Sequence, residues 1–244
     1  MVKYMEIPRV VAVMPLWRRS QLLPLIIEKL PDWLRGIVYV LSPEDPYFAA
    51  LLEIVKSTKC DYKVEIFMNK PLGRKLNHGV RTAMKEFEFD YLMNIGSDDI
   101  VHPDLLKEYR RQLDILGVDG WPDMCMMGMN SGDWYDPNNR RAERIRYFDV
   151  PIIIGAGRLT HISLLDLCDG YMNNPLKSQS LDTDSQIQLV GKYDAKGYLF
   201  KMEGYVVDIK TGDNINKFDL IYNENSSIEH WPLDESYLLR HYGI

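Results

Sequence analysis

The sequence predicts an α/β fold: a single domain built as an α/β/α sandwich around a central, mainly parallel sheet. Three observations carry this. Short apolar runs at 10–14, 36–41, 62–68 and 91–95 alternate with segments whose apolar residues recur at helical spacing. Two of these runs, 10–14 and 36–41, are apolar throughout and 91–95 is broken only by Asn94, as expected of strands covered on both faces in a parallel sheet, while 62–68 alternates. They end in Pro, Gly or Ser followed by charged residues, at the strand ends where open α/β sheets collect ligands.

Composition sets the outer limits. The chain has 244 residues, 46% of them hydrophobic, enough for one sizeable core shared by two apposed halves, 1–120 and 121–244. A net charge of −6 argues against general, charge-driven nucleic-acid binding, although Arg140, Arg141, Arg144 and Arg146 form a local basic group. The three cysteines, Cys60, Cys125 and Cys168, are widely spaced in apolar surroundings, which suits reduced core thiols and a cytoplasmic protein. The opening MVKYMEIPRVVAVMP is too short an apolar stretch for a signal peptide, and no run approaches membrane-spanning length.

The first strand, 10–14, is stopped by Pro15 and followed by a helix over 20–30. The loop between them carries Trp17, Arg18 and Arg19 at the carboxyl end of the strand. There an aromatic ring could stack on a nucleotide base and cations could neutralise a diphosphate, or Trp17 could be core. The second strand, 36–41, ends in Ser42-Pro43-Glu44-Asp45-Pro46 before a helix over 47–57. Glu44 or Asp45 is suited to accepting a base N–H, or is a solvated turn residue.

A third strand, 62–68, leads through 69–79 into a helix over 80–87. Arg74 and Lys75, close to that helix start, could hold phosphate or a base carbonyl, with His78 structural or solvent-facing. The fourth strand enters DYLMNIGSDDIVHP, where Gly96 and Ser97 end it and Asp98 and Asp99 follow. Adjacent carboxylates repel, and a hard divalent cation shared with diphosphate oxygens answers that repulsion. The alternative is that one of them caps a helix over 102–116.

Beyond residue 119 the pattern changes. The sulfur-rich 124–129 reads as a buried strand, and 130–148, polar and aromatic, as a loop excursion or small β-element over the site. A strand at 152–154 enters a tight turn, Gly155-Ala156-Gly157-Arg158, before a helix over 162–168. Asp182 and Asp184 open a helix over 186–190, one acid more than capping needs. Two tail strands, 198–202 and 205–209, a polar loop at 210–216, and the segment 227–232 complete the chain. In that last segment His230 is either a structural histidine or a metal ligand.

Taken together, VVAVMPLWRRSQLLPLIIEKL, LGRKLNHGVRTAM, FDYLMNIGSDDIVHPDLLKEY, GAGRLTHISLLDL and LDTDSQIQL resemble, in order and spacing, the nucleotide-sugar glycosyltransferases of Rossmann-like GT-A fold. The likeness is to the large inverting family 2 in particular. The resemblance runs from about Val10 to Val190. It implies a donor, most plainly a UDP-sugar, held by Pro15, Trp17, Arg18, Glu44 or Asp45, Arg74, Lys75, Asn77, Ser97 and Asp98. It further implies Mn²⁺ or Mg²⁺ on Asp98 and Asp99, with His230 a further candidate ligand. Gly155, Gly157 and Arg158 fall on the acceptor side, and Asp182 or Asp184 is the catalytic base. The chain departs from the family at Gly96, two positions before the Asp pair, where an acid is common, and at Leu181, where Glu is usual. A nucleotidyltransferase, or a scaffold of this fold without activity, is the competing reading.

Overall fold

β-Branched and aliphatic side chains dominate 10–14 and 37–41, and such residues favour a pleated strand packed on both faces. The computed structural model, which describes residues 7–147, 152–211 and 228–244, makes them the central strands β1 (Val10–Pro15) and β2 (Leu34–Leu41). Between them lies α1 (Leu23–Glu28); α2 (Phe48–Ile54) leads to β3 (Asp61–Ile66), and α3 (Leu72–Glu86) to β4 (Tyr91–Asn94). Then come β5 (Asp99–Val101), α4 (Leu105–Ile115), β6 (Cys125–Met129), β7 (Ser131–Asp136), β8 (Arg141–Tyr147), β9 (Leu159–His161) and α5 (Ile162–Leu167). The chain continues through α6 (Leu181–Gln186), β10 (Lys196–Phe200), β11 (Val206–Ile209), β12 (Ile228–Leu233) and α7 (Glu235–Tyr242).

The strands form two sheets. The main, seven-stranded one has the order β10-β6-β9-β4-β1-β2-β3, and β9 alone among them runs antiparallel to its neighbours. It is a mainly parallel α/β/α sandwich in one domain, built from both halves of the chain. Period two along β1 shows the layering directly: Val10, Ala12 and Met14 join the core containing α1 and α4, whereas Val11 and Val13 join the core beneath α3 and α5. A second, five-stranded sheet has the order β12-β8-β7-β11-β5. Since β4 passes through a four-residue turn into β5, the two sheets share a junction at residues 95–98.

Several elements differ from the sequence expectation. The third helix begins eight residues before the expected 80, because its glycines serve close packing. A Cβ at Gly79 would lie 2.6 Å from Val40 and 2.7 Å from Val13, and one at Gly73 would overlap the Asn174 carbonyl. Residues 152–154 form no strand; Ile154 N–H donates to Met129 O at 2.9 Å as the segment crosses the end of β6. The excursion after residue 130 is the hairpin β7–β8, and its end at Phe148, like most of the 210–216 loop and Ser227, lies outside the described residues. The expected helix at 186–190 starts earlier, at Leu181, and passes into a π-helical turn, Ile187–Gly191. The α7 helix had no counterpart in the sequence reading. It docks through Tyr242, whose hydroxyl donates to Asp133, and through His241, whose ring stacks on His102 at 4.4 Å. Among the described residues no helix is long and apolar enough to cross a membrane.

Candidate metal and nucleotide site

The site grows from the turn between β4 and β5. Asp99 opens β5 rather than a helix, and its Oδ2 accepts the Gly96 N–H at 2.6 Å. Both carboxylates fold back over Gly96: a Cβ there would stand 2.6 Å from Asp98 Oδ1 and 2.6 Å from Asp99 Oδ2. Any side chain at 96 would therefore have to push these two carboxylates aside. Directly across the β5–β11 ladder from Asp99 stands Asp208, and the Ile209 N–H donates to Asp98 O at 2.7 Å. Carboxylate oxygens of Asp98, Asp99 and Asp208 all fall within 4.8 Å of one another.

Two cations reach into this group. Arg19, 7% exposed, donates to Asp98 Oδ2 and to Thr211 Oγ1, both at 2.9 Å. Lys210, also buried, pairs with Asp208 and sits 3.8 Å from the centre of the Trp134 ring. Burial, then the Asp208 and Asp98 charges, hold the Asp99 carboxyl well above the usual carboxylate range. Burial likewise raises Asp208, to about 6, with Asp98 adding to it and Lys210 opposing. The donor set is all-carboxylate and mutually repelling, which is the chemistry a hard divalent cation fits.

The neighbouring strand ends are tied together by Lys75. Its ammonium is fully buried and donates to Leu16 O at 2.6 Å, Ser42 Oγ at 2.7 Å and Asn69 Oδ1 at 3.2 Å, linking the loops after β1, β2 and β3. Asp45 braces the same loops, accepting the Arg18 N–H at 2.6 Å and the Tyr47 N–H at 2.8 Å. Glu44 is exposed, and its acceptance of the Asn69 N–H at 2.7 Å holds its carboxyl below the ordinary value. Pro15 ends β1, Trp17 beyond it is half-buried with the Arg18 guanidinium 5.4 Å from its ring, and Ser97 is buried in the β4–β5 turn. Arg74 is exposed on the first turn of α3. Asn77, by contrast, faces the interior: its amide nitrogen donates to Asn173 O at 2.7 Å and its oxygen accepts the Asn173 N–H at 2.9 Å.

On the other side stand Gly155, Gly157 and Arg158. Asp182 Oδ2 accepts the Gly155 N–H at 2.9 Å, and its Oδ1 lies 3.5 Å from Arg158 Nη1. Arg158 is fully buried, which lowers its pKa against the pull of Asp182, and its Nε and Nη2 have no hydrogen-bond partner among the described residues. Gly157, at φ +74°, occupies the left-handed region and abuts Val206 of β11 and Leu105 of α4. Asp184 turns away to Lys177, 2.7 Å distant, beside a cleft of about 490 Å³ lined by Lys70, Lys177, Ser178, Gln179 and Ser180. Burial and the charges of Asp182 and Asp208 push the Tyr147 hydroxyl up to about 12.

The structure thus brings together Asp98 and Asp99, and it ties Asp182 to the Gly155 turn, whose Gly157 N–H donates to Asn94 O at 3.0 Å at the end of β4. It does not bring in His230, which sits on β12 with Nδ1 3.4 Å from Glu143. Four strand spacings, roughly 19 Å, separate β12 from β5 across the second sheet. Sequence reasoning missed Asp208 and Lys210; it had Arg19 only as a cation for the diphosphate, and Trp134 and Tyr147 only as part of the 130–148 excursion over the site. One usable signal was present: Asp208 is a carboxylate inside the apolar run YVVDI.

No protein-family model and no curated protein matches the chain. Among solved structures it is similar to S. aureus TarS 1–349 in complex with UDP-GlcNAc, with a TM-score of 0.58 and 13% identity over 84% of this chain. A second TarS 1–349 structure, in complex with UDP, gives a TM-score of 0.57 and 13% identity over 83% of the chain. TarS is a GT-A-type glycosyltransferase, and the fold described above is of that type. The chain spans 60% of the length of TarS 1–349.

Proposed function

We propose that the protein transfers a sugar from a nucleoside-diphosphate donor, a UDP-sugar, to an acceptor hydroxyl, using a divalent cation and inverting the anomeric carbon. One observation carries this reading: three carboxylates, Asp98, Asp99 and Asp208, converge at the carboxyl rim of the main sheet with two cations among them. The similarity to a fold crystallised with UDP-GlcNAc supports it.

Asp98, Asp99 and Asp208 would hold Mn²⁺ or Mg²⁺. When bound, such an ion supplies Lewis-acid stabilisation of the diphosphate leaving group. The chain's own residues do the rest. Trp17 and the loops braced by Lys75 and Asp45 receive the nucleoside, while Arg19, with Arg18 and Arg74 at the rim, offers charge to the phosphates. Asp182, fixed by the Gly155 N–H, takes the proton of the attacking hydroxyl, whereas Asp184 is already engaged by Lys177. A well-placed base of this kind contributes a rate factor of roughly 10² to 10⁴. Gly155 leaves the space that the Asp182 carboxylate needs, since a Cβ there would collide with it.

A thermal-shift series with UDP-, GDP- and dTDP-sugars, with and without Mn²⁺, tests the reading. A ligand at 100 times its Kd stabilises the native state by about 2.7 kcal/mol. The expected result is stabilisation by UDP and one UDP-sugar that needs Mn²⁺ and disappears in Asp99→Asn. If no nucleotide binds and no UDP-sugar is hydrolysed with Mn²⁺ present, the protein is a scaffold of this fold and the assignment fails.

A further inference from the structure

An ammonium is costly to bury unless it is paired, and Lys210 is 4% exposed. Strand register explains how it came inside. Asp99, Asp208 and Trp134 stand in one row across β5, β11 and β7, and Lys210, two residues beyond Asp208, falls on the same side of the strand. The ammonium bonds to the Asp208 carboxylate and lies 3.8 Å from the centre of the Trp134 ring, an aromatic face that attracts cations. At the other end of the group Arg19 holds Asp98. Among the described residues, the triad therefore carries counter-ions of its own on two of its three carboxylates.

We propose that Lys210 is a resident cation of the acidic triad: it competes with a divalent ion for Asp208 and couples binding of that ion to binding of the nucleotide. The inference rests on the metal reading above. A divalent ion arriving alone must take Asp208 from the ammonium, and the ammonium is then left with only the Trp134 face. Arriving with a diphosphate, the ion brings the displaced ammonium a new anionic partner within a side chain's reach. Metal affinity is thus low without nucleotide and high with it. By linkage, nucleotide affinity rises with metal by the same factor. Lys210 is in this sense a positioning and specificity residue, favouring the metal–diphosphate complex over either component.

The test is Mn²⁺ binding followed by electron paramagnetic resonance of the free ion, in wild type, Lys210→Met and Lys210→Arg, without and with UDP. Lys210→Met should bind Mn²⁺ alone about tenfold more tightly than wild type and lose most of the enhancement by UDP, while Lys210→Arg stays close to wild type. A folded Lys210→Met protein with wild-type or weaker affinity for Mn²⁺ alone overturns the proposal, even where wild type binds Mn²⁺ with UDP as the functional reading requires. Failure of every variant and of wild type to bind Mn²⁺ with or without UDP overturns both. Should Lys210→Met not fold, tryptophan emission supplies the reading. In a Trp17→Phe background, which silences the ring assigned to the nucleoside, saturating Mg²⁺ and UDP should change the emission through departure of the ammonium from Trp134, and adding Trp134→Phe should remove that change; an unchanged spectrum in the Trp17→Phe protein refutes the displacement.

Discussion

Lys75 illustrates how a single side chain can tie three loops at a sheet's rim together without facing solvent. Its three N–H groups satisfy three acceptors on three loops, yet burial lowers its pKa to about 8 against the opposing pull of Glu44 and Asp45. Below pH 8 the lysine is protonated in both folded and unfolded chains, so the burial penalty is present in full. Between pH 8 and 10.5 the unfolded chain binds the extra proton, and stability rises with pH. The gain is at most about 3 kcal/mol, from a shift of that size at 1.36 kcal/mol per unit. Urea denaturation at pH 7.5 and pH 10 should therefore show the stability difference between wild type and Lys75→Met shifting in favour of wild type at the higher pH. A difference that does not move with pH contradicts this account. At this scale the sequence was partly legible. Asp98 and Asp99 announced themselves as neighbouring acids after an apolar run, but nothing local distinguishes Arg19, which turns inward to Asp98, from Arg18, which is exposed at φ +55°. Lys75 was read as a helix-start cation because periodicity does not report that three loop acceptors converge on its position.

Elements were legible where one physical cause governed them. The strands β1, β2 and β4 followed from unbroken apolar runs, and their alternation with helices implied the parallel sheet. The start of α3 was misjudged because glycine weakens a helix by about 1 kcal/mol relative to alanine, so Gly73 and Gly79 read as loop. Tertiary packing reverses that inference: the helix approaches the 173–177 segment so closely that only glycine fits at 73, with the Gly73 N–H donating to Lys177 O at 2.9 Å. The same substitution should accordingly have opposite signs at two sites. Gly73→Ala should destabilise by about 1–3 kcal/mol through overpacking against backbone. Gly191→Ala, where a Cβ meets nothing within 4 Å, should stabilise by about 0.5–1 kcal/mol. Chemical denaturation of both variants decides the matter, and equal signs would refute the packing explanation. The strand at 206–209 matched the expectation of a tail strand, but its pairing with β5 and β7, like that of β8 with β12, joins segments far apart in sequence, so the role of Asp208 opposite Asp99 exists only once the second sheet has formed.

At the scale of the whole molecule, the proposed function asks three structures to meet at one rim. The main sheet delivers Asp98 and Asp99 where β4 turns into β5, the second sheet delivers Asp208 and Trp134, and α6 sets Asp182 against the Gly155 backbone. The proposed inversion needs a base on the acceptor side, opposite the leaving diphosphate, and on that proposal the two roles fall to α6 and the triad. The structure also distinguishes the two aspartates of α6: Asp182 is oriented by a backbone N–H with the buried Arg158 3.5 Å away, while Asp184 pairs with Lys177 at 2.7 Å. Asp182→Asn keeps the shape and removes the basicity. It should lower kcat by roughly 10² to 10⁴ while leaving Mn²⁺-dependent UDP binding as in wild type. Asp184→Asn frees Lys177 beside the cleft and should change the KM for acceptor more than kcat. Nuclear magnetic resonance of the product, formed from a donor of known anomeric configuration, should show the opposite configuration. Near-wild-type turnover in Asp182→Asn, or a product that retains the donor configuration, would remove Asp182 from the base role and the inverting course with it, while the metal and nucleotide site at the triad would stand or fall separately on its own binding measurements.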